Sequence, residues 1–252
     1  MSFPNIVYGS YGDQRTAQST KIGSLPLGTV LELPDGSKFR HAQNGGTTLA
    51  VGLLVQTELA EASHDIDLVV SAAATVGATS ISATMAGTVC TLNQYADGYI
   101  LVNDQQGQGY VYRCKGNTAA ASVTAARFDL ADGDSVQVAL LAATSEIGLR
   151  VNPYKGVTKW EAGTVEGQVL GLPPVAVTAS QYFWCQTRGP AMALADSTLA
   201  IGAMVVSSTT VDGGVTIWAG SAAATTYLVR PIGDCLAVAA STDYALIDLK
   251  LE

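Results

Sequence analysis

The chain has 252 residues, enough for one large domain or two modest ones, and either arrangement can bury a hydrophobic core. Hydrophobic residues make up 48% of the chain and charged residues only 13%, about half of the roughly 25% that is usual for soluble domains. The formal net charge is −8 and the 13 Lys and Arg residues form no basic block. This argues against nucleic acid as a partner, because neutralising phosphates requires clustered cations.

The N-terminal residues lack a charged segment followed by an apolar one, and no apolar run approaches the roughly 18 residues that a membrane-spanning helix needs. We therefore expect a soluble protein that is made in the cytosol and has no membrane partner. A surface so poor in charge must consist largely of Thr, Ser, Gln, Asn, Gly and small apolar groups. That composition suits a protein packed against neighbours, although strands rich in alanine would also lower the charged fraction.

Residues 1–24 are rich in Gly, Ser, Gln and Thr and show neither a helical nor a strand period. The sequence predicts an extended N-terminal arm there, with a loose terminus as the alternative. An arm that carries tyrosines but no core of its own gains most by lying on another subunit, because tyrosine supplies contact area at low entropic cost. Tyr8, Tyr11 and Arg15 are the predicted partner-binding residues.

The first clear element is a hairpin, in which Val30 to Leu33 and Lys38 to His41 flank the turn Pro34-Asp35-Gly36-Ser37. The segment 57–68, TELAEASHDIDL, is a weak helix candidate, too short and too poorly patterned to rely on. From about residue 66 strands follow one another. In TSISATM, residues 79–85, polar and apolar side chains alternate, which indicates a strand with one solvent-exposed face and one face in the core.

The stretch GYILVNDQQGQGYVYRCKG, residues 98–116, contains two alternating runs on either side of a polar break with two glycines. A dinucleotide-binding loop requires GxGxxG between a strand and a helix. Here Tyr112 stands in place of the third glycine, and an alternating run follows instead of a helix. The segment is therefore interpreted as the corner of a β-hairpin.

Further short strands with turns every 8 to 12 residues continue to the end of the chain, a rhythm typical of sandwiches and barrels. In QYFWCQTRGPA, Tyr182 and Trp184 face one way and Phe183 and Cys185 the other, and Gly189-Pro190 is expected to break the strand. The sequence predicts an all-β protein of two small β-sandwich or β-barrel domains. After the arm at 1–24, the first domain covers 25–155, including the hairpin, and the second covers 156–252.

No pattern for catalysis or metal binding is found. The four cysteines, at 90, 114, 185 and 235, form no CxxC pair, so free thiols are expected, and Cys114 and Cys185 are expected to be small buried side chains. His41 falls on the outward alternation of the first hairpin and His64 lies in an acidic segment, with no nucleophile signature for either. The turn DLADGD, residues 129–134, has three acids but lacks the spacing of a calcium loop. We therefore expect no enzyme and no cofactor.

Several strings together resemble structural proteins of tailed bacteriophages of the sort found beside capsid genes. The strings are QYADGYILVND with GYVYRCKG, then NPYKGV, and then QYFWCQTRGPA with GAMVVSSTTVDGGV. The likeness runs over most of residues 25–252 and rests on Tyr/Gly turn strings and strand order. The end VVSSTTVDGGV also looks like head decoration (cement) proteins, which are small β-domains, often trimeric, that clamp the lattice of the major capsid protein.

The resemblance implies a non-enzymatic capsid decoration protein on the exterior of the virion, bound to the major capsid protein as a homotrimer, with no catalytic residues. The low charge and the tyrosine-bearing arm agree with this expectation. Two alternatives stay open. One is a tail, neck or fibre component of the virion, and the other is a carbohydrate-binding β-sandwich in which Tyr110, Tyr112 or Trp218 stacks on a sugar ring. Among the tryptophans, Trp184 is expected in the core.

Overall fold

A computed structural model describes residues 6–163, 167–218, 220 and 230–252. Almost all regular structure there is β, which confirms the predicted fold class. The helical part of these residues is limited to three short 3-10 turns, at Asp13–Arg15, Ile22–Ser24 and Ala62–His64. The last turn is the helical part of the segment considered above as a weak helix candidate.

The strands are numbered in chain order through the described residues. They are β1 Ile6–Tyr8, β2 Ala17–Gln18, β3 Val30–Glu32, β4 Lys38–Gln43, β5 Val55–Gln56, β6 Leu68–Ala72, β7 Ser80–Thr84, β8 Tyr99–Asp104, β9 Val111–Asn117, β10 Ala125–Leu130, β11 Glu146–Arg150, β12 Thr158–Lys159, β13 Val169–Gly171, β14 Tyr182–Leu194, β15 Met204–Ser207, β16 Val215–Ile217, β17 Pro231–Ala237 and β18 Tyr244–Lys250.

The chain divides into two compact units. The barrel unit is the continuous stretch Ala60–Asn152, and the sheet unit combines Met1–Leu59 with Pro153–Glu252. This division differs from the linear boundaries predicted from the sequence, 25–155 and 156–252. The reason is that β4 pairs with β14, so the N-terminal hairpin belongs with the C-terminal half of the chain. Alternation within a strand contains no information about a partner so distant in sequence.

The barrel unit is a closed antiparallel barrel of six strands in the order β10-β7-β6-β11-β8-β9. Its interior is filled by the alternate apolar residues of these strands, such as Ile81, Ile100 and Phe128. Since β9 pairs with β10, the two ends of this order are neighbours and the barrel has no free edge.

The hairpin predicted from the Gly-rich stretch is β8 and β9, paired antiparallel. Gly107 and Gly109 both have positive φ, as a tight corner requires. A Cβ at Gly107 would lie 2.6 Å from Cδ2 of Leu140, which is buried in the barrel. The structure therefore assigns these glycines to a corner packed on the core.

One turn-and-strand sequence occurs in both units. Residues 120–130 read AASVTAARFDL and residues 239–249 read AASTDYALIDL, with six of eleven positions identical. The fourth residue, Val123 or Thr242, has a positive φ in each case, and its N–H donates to the carbonyl of a residue distant in sequence, Met85 or Ala195. The apolar residues that then enter the two cores are Ala126, Phe128 and Leu130 in β10 and Ala245, Ile247 and Leu249 in β18.

The sheet unit contains a nine-stranded sheet in the order β1-β3-β4-β14-β18-β17-β15-β16, with β2 also paired to β14. A small sheet, β12-β5-β13, lies in the same unit. Side chains of the small sheet and its flanks, including Val55 and Leu170, pack with Phe183 and Cys185 of β14. The opposite face of β14 places Trp184 in a separate cluster with Leu31, Leu33 and Phe39. The predicted facing of these residues and the core position of Trp184 are confirmed.

The prediction that Gly189-Pro190 breaks the strand is wrong, since β14 runs through both residues. β14 pairs with β4 up to Arg188 and with β18 from Arg188 onward. Pro190 lies opposite Asp248 of β18, after the pairing with β4 has ended. A proline without an N–H is tolerated where the strand has a partner on one side only.

The predicted extended arm is part of the sheet unit wherever the structure describes it. β1 pairs in parallel with β3, and β2 pairs with β14. Val7, Ile22 and Leu25 pack against the cluster that contains Trp184. Strands of two or three residues are too short to show a period, which explains why the sequence indicated no strand there. Residues 1–5 of the predicted arm lie outside the described residues.

Candidate partner-binding site

The three predicted partner-binding residues lie on the surface of the sheet unit. Tyr8 ends β1 and is 78% exposed, while Tyr11 is 66% exposed in the loop that follows. Arg15 ends the first 3-10 turn and is exposed. The structure brings Tyr11 and Arg15 together as walls of one pocket, and Tyr8 does not line that pocket.

The segment that carries these residues is held by backbone pairing and by a buried histidine. Gly9 donates its N–H to the carbonyl of Glu32, which extends the pairing of β1 with β3. His41 is fully buried, and its Nε2 lies 3.3 Å from the N–H of Ile22, from which it accepts. Its Nδ1 lies 3.2 Å from the carbonyl of Pro26 and therefore carries the proton and donates. Through these two hydrogen bonds His41 holds the chain segment after Arg15 in place.

The prediction that His41 points outward is therefore wrong. In β4, His41 lies on the same face as Phe39, and both residues are buried. The chain around Ile22 and Pro26 covers His41, and its ring also lies against Trp184 at 5.4 Å between centroids. The sequence pattern of β4 alone does not show that another segment of the chain covers this face of the strand.

The pocket beside Tyr11 has a volume of about 250 Å³ and is here called the N-terminal pocket. It is enclosed by five parts of the sheet unit, 11–15, 33–39, 51–52, 172–174 and 186–192. Its lining mixes polar and apolar groups. The apolar lining comes from Leu33, Phe39, Val51, Leu172, Pro173, Pro174, Ala191 and Met192, together with the ring of Tyr11.

The polar groups that line the pocket include Arg15, Asp35 and Gln186. Gln186 is only 7% exposed, and its Nε2 donates to the carbonyls of Arg188 at 3.2 Å and Pro190 at 3.0 Å. Asp35 accepts from the N–H of Ser37 at the hairpin turn. The guanidinium of Arg15 forms no ion pair with any carboxylate of the described residues.

Sequence reasoning missed most of this lining. Val51 and Met192 are exposed to about the same degree, 46% and 47%, at the mouth of the pocket. Gly52, which follows Val51, has a positive φ, and a Cβ there would come within 2.7 Å of the carbonyl of Met192. The Ala-Val-Gly turn signal and the Pro-Pro pair at 173–174 were visible in the sequence, but nothing local indicates that they meet.

The two groups considered above for chemistry have structural partners. His64 is buried in the barrel unit, with Nδ1 2.6 Å from the hydroxyl of Tyr95. In the acidic turn, Asp132 pairs with Lys115 and Asp129 pairs with Arg127, each at 2.6 Å. No group of His, Cys, Asp and Glu side chains suited to a metal ion occurs among the residues that the structure describes.

The four thiols are free, and Cys114 and Cys185 are buried, as the sequence predicted; Cys90 and Cys235 are buried as well. Burial raises the pKa of Cys90 to about 11. It raises the pKa of Cys114 to about 12, and that of Cys185, which is fully buried, further still. Thiols that stay protonated at neutral pH are poor nucleophiles and poor metal ligands, so these residues act as small core side chains.

The aromatic residues considered for stacking on a sugar differ in exposure. Tyr112 is buried, and its hydroxyl accepts from the N–H of Gln137 at 3.1 Å, so it offers no face to a ligand. Tyr110 stacks on Tyr112 with an interplanar angle of 9° and is partly exposed. Trp160 is buried, whereas Trp218 is exposed.

No helix in the described part of the chain combines the length and the apolar character that crossing a bilayer requires. Comparisons with protein families, with curated proteins and with solved structures find no match to this chain.

Proposed function

We propose that this protein is a non-enzymatic decoration protein of a tailed-bacteriophage capsid, which binds the lattice of the major capsid protein as a homotrimer on the outside of the virion. The observation that carries the proposal is the exposed apolar surface of the sheet unit around the N-terminal pocket. Tyr11, Val51 and Met192 present apolar area to solvent next to Arg15. Exposed apolar groups clustered around a concave site mark an interaction surface.

The scaffold beneath this surface suits a protein that must hold a lattice together. Met192 lies on β14, which is paired on both sides over different parts of its length, and β1 is tied to β3. A backbone that strand pairing already holds in place loses little conformational freedom when a partner binds. With 13% charged residues, the surface needs little desolvation of ions when it packs against a neighbour.

The test is to locate the chain on purified virions and then to weaken the surface. Cryo-EM of virions should place the protein on the capsid shell. Native mass measurement of the purified protein should give the mass of three chains. Copies found only on a tail, neck or fibre would support the alternative of a component of those parts. No copy on the virion would reject the proposal.

Binding to assembled shells should also depend on the predicted residues. Since the segment up to Ala17–Gln18 is part of the sheet unit, point variants are better than deleting it. The double variant Tyr8→Ser/Tyr11→Ser should weaken binding about tenfold or more, because buried tyrosines at an interface contribute strongly. Leu92→Ser, at an equally exposed apolar residue of the barrel unit, is the matched control. Equal losses in both proteins would assign the binding to a different surface.

A further inference from the structure

The hydrogen bonds of His41 require the neutral form of its ring. Its Nε2 accepts from the N–H of Ile22 at 3.3 Å, and its Nδ1 donates to the carbonyl of Pro26 at 3.2 Å. An imidazole nitrogen accepts a hydrogen bond only while it carries no proton. A proton on Nε2 would replace this acceptor with a second donor, directed at the N–H of Ile22. Protonation therefore ends the bond to residues 21–26, here called the covering segment.

The surroundings of the ring oppose a positive charge. His41 has no exposed surface, and moving a charged group out of water is costly. The rings of Trp184 and Tyr182 lie 5.4 and 5.7 Å away between centroids, and aromatic rings can attract a cation. That attraction does not restore the acceptor that the N–H of Ile22 loses. The closed arrangement of the covering segment therefore favours the neutral ring.

Charged or titratable side chains also belong to the elements packed around His41. Among the described residues they are Lys21 of the covering segment, Glu32 of β3, Lys38 and Arg40 of β4, and Tyr182, Cys185 and Arg188 of β14. Glu32, Lys38 and Arg40 lie on the opposite face of the paired strands β3 and β4, because side chains alternate along a strand. Cys185 is on the other face of β14, and Arg188 lies opposite Lys38. Lys21 directly precedes Ile22, and its positive charge disfavours a second one on the ring.

His64, the second of the two histidines in the chain, has partners that tolerate a proton. Its Nδ1 lies 2.6 Å from the hydroxyl of Tyr95, and its Nε2 lies 3.4 Å from the carbonyl of Thr88. A hydroxyl and a carbonyl can both accept, so a ring with two N–H groups keeps both contacts. The two buried histidines therefore differ in their expected response to acid.

We propose that His41 is an acid-sensitive anchor, which holds the covering segment at neutral pH and releases it when Nε2 takes a proton. In the open state the ring faces water and takes a proton more readily than in the closed state. Histidine is the side chain that changes charge between about pH 5 and 8. Because one proton is taken up on opening, the ratio of closed to open molecules should fall by up to about tenfold per pH unit in the acid part of this range.

The release acts on the residues predicted to bind a partner. Tyr11 and Arg15 lie between β1 and the covering segment, so opening of that segment removes one of the supports of their loop. Partner binding should then weaken in acid. This last step rests on the proposed function, whereas the release itself does not.

Amide hydrogen exchange of the full-length protein, followed by NMR from about pH 7.5 to about pH 5, measures the release. The protection of the Ile22 amide, corrected for the intrinsic effect of pH on exchange, should fall by about tenfold between about pH 6 and pH 5. Long-range nitrogen–proton spectra of the two histidine rings report their protonation directly. At neutral pH one ring should show a protonated Nδ1 and an unprotonated Nε2.

The matched control is His41→Gln, whose amide offers an acceptor and a donor but does not titrate. In this variant the protection of Ile22 should no longer depend on pH. His64→Gln should show the same fall as the wild type. So should Glu58→Gln, which removes a carboxyl of the sheet unit whose pKa is raised by burial. Melting curves at neutral pH check that each variant is folded.

Two results would overturn the inference. One is a protection of Ile22 in the wild type that does not change with pH, and the other is an equal fall in His41→Gln. If His41→Gln does not fold, the ring spectra of the wild type decide. A proton on Nε2 of both rings at neutral pH, or a ring that titrates with no change at Ile22, would then refute the anchor.

Binding to capsid shells at both pH values tests the link with the proposed function. The wild type should bind more weakly in acid, and His41→Gln should lose less affinity than the wild type over the same interval. If shells bind but the protection of Ile22 is constant, the inference fails and the proposed function stands. If the segment is released as expected but shells bind at neither pH, the anchor stands and the proposed function fails.

Discussion

At the scale of single residues, His41 shows how a polar group can hold a chain segment in place. The ring has no exposed surface and uses both nitrogens, one accepting from Ile22 and one donating to Pro26. Each bond contributes roughly 0.5–1.5 kcal/mol, and removing the ring would leave both backbone groups without this partner. The histidine therefore links β4 to the segment between the first 3-10 turn and the hairpin.

We expect His41→Ala to loosen this segment locally. The unfolding free energy should fall by about 3 kcal/mol, because a buried side chain and two hydrogen bonds are lost. Trypsin should then cleave after Lys21, next to Ile22, faster than in the wild type. His64→Ala is the control, since it also empties a fully buried histidine site, but in the barrel unit. If both variants accelerate cleavage after Lys21 equally, the hydrogen bonds of His41 do not hold the segment around Ile22 and Pro26 in place.

At the scale of elements, the sequence predicted the strands that alternate and missed those that do not. β7, β8 and β9 were identified because in each strand buried residues, such as Ile81, Ile100 and Cys114, alternate with less buried ones. β1 and β2 have three and two residues and exist because β3 and β14 offer free edges. The pocket residues escaped prediction for a related reason, because they come from five separate parts of the chain.

The turn that precedes β10 is strained in a way that can be relieved. Val123 has a φ of 58°, a left-handed conformation that is unfavourable for a β-branched residue by roughly 1–2 kcal/mol, whereas asparagine adopts it more readily. Its side chain is 78% exposed, so little packing is lost on substitution. We expect Val123→Asn to raise the unfolding free energy by about 1 kcal/mol.

The control for this prediction is Val111→Asn, at an exposed position of β9. There the backbone is extended, and valine has the higher strand propensity, so the same change should leave stability unaltered or lower it. Chemical denaturation of both variants measures the difference. Stabilisation of both proteins, or of neither, would mean that strain at Val123 is not the cause.

At the scale of the whole molecule, the insertion of one unit into another could not be predicted from the sequence. The two units share the pattern AASxxxAx(F/I)DL and similar alternation, so composition changes little where the chain passes from one unit to the other. The decisive contacts are pairings between distant strands, β4 with β14 and β5 with β12 and β13. Local sequence predicts strands, whereas register between remote strands depends on the whole chain.

The topology predicts that each unit can fold without the other. In the barrel unit, Leu68 of β6 lies opposite Ile147 of β11. The N-terminal and C-terminal ends of the barrel unit are therefore neighbours. In the sheet unit, Gln56 of β5 lies opposite Thr158 of β12, so the two chain ends that receive the insertion are also neighbours. Each unit has hydrophobic clusters of its own. Joining the two chain ends of the sheet unit requires no new contacts, and neither does expressing the barrel unit alone.

We therefore expect that replacing Ala60–Asn152 by a Gly-Ser linker of about six residues, which can span roughly 20 Å, leaves the sheet unit folded. Ala60–Asn152 expressed alone should also be folded, because a closed barrel has no edge that depends on a neighbour. Dispersed amide NMR spectra and cooperative thermal unfolding of both proteins are the measurements. The protein that lacks the barrel unit should keep the shell binding that depends on Tyr8 and Tyr11, since both residues lie in the sheet unit. Poorly dispersed amide signals for either protein would show that the two units depend on each other for stability.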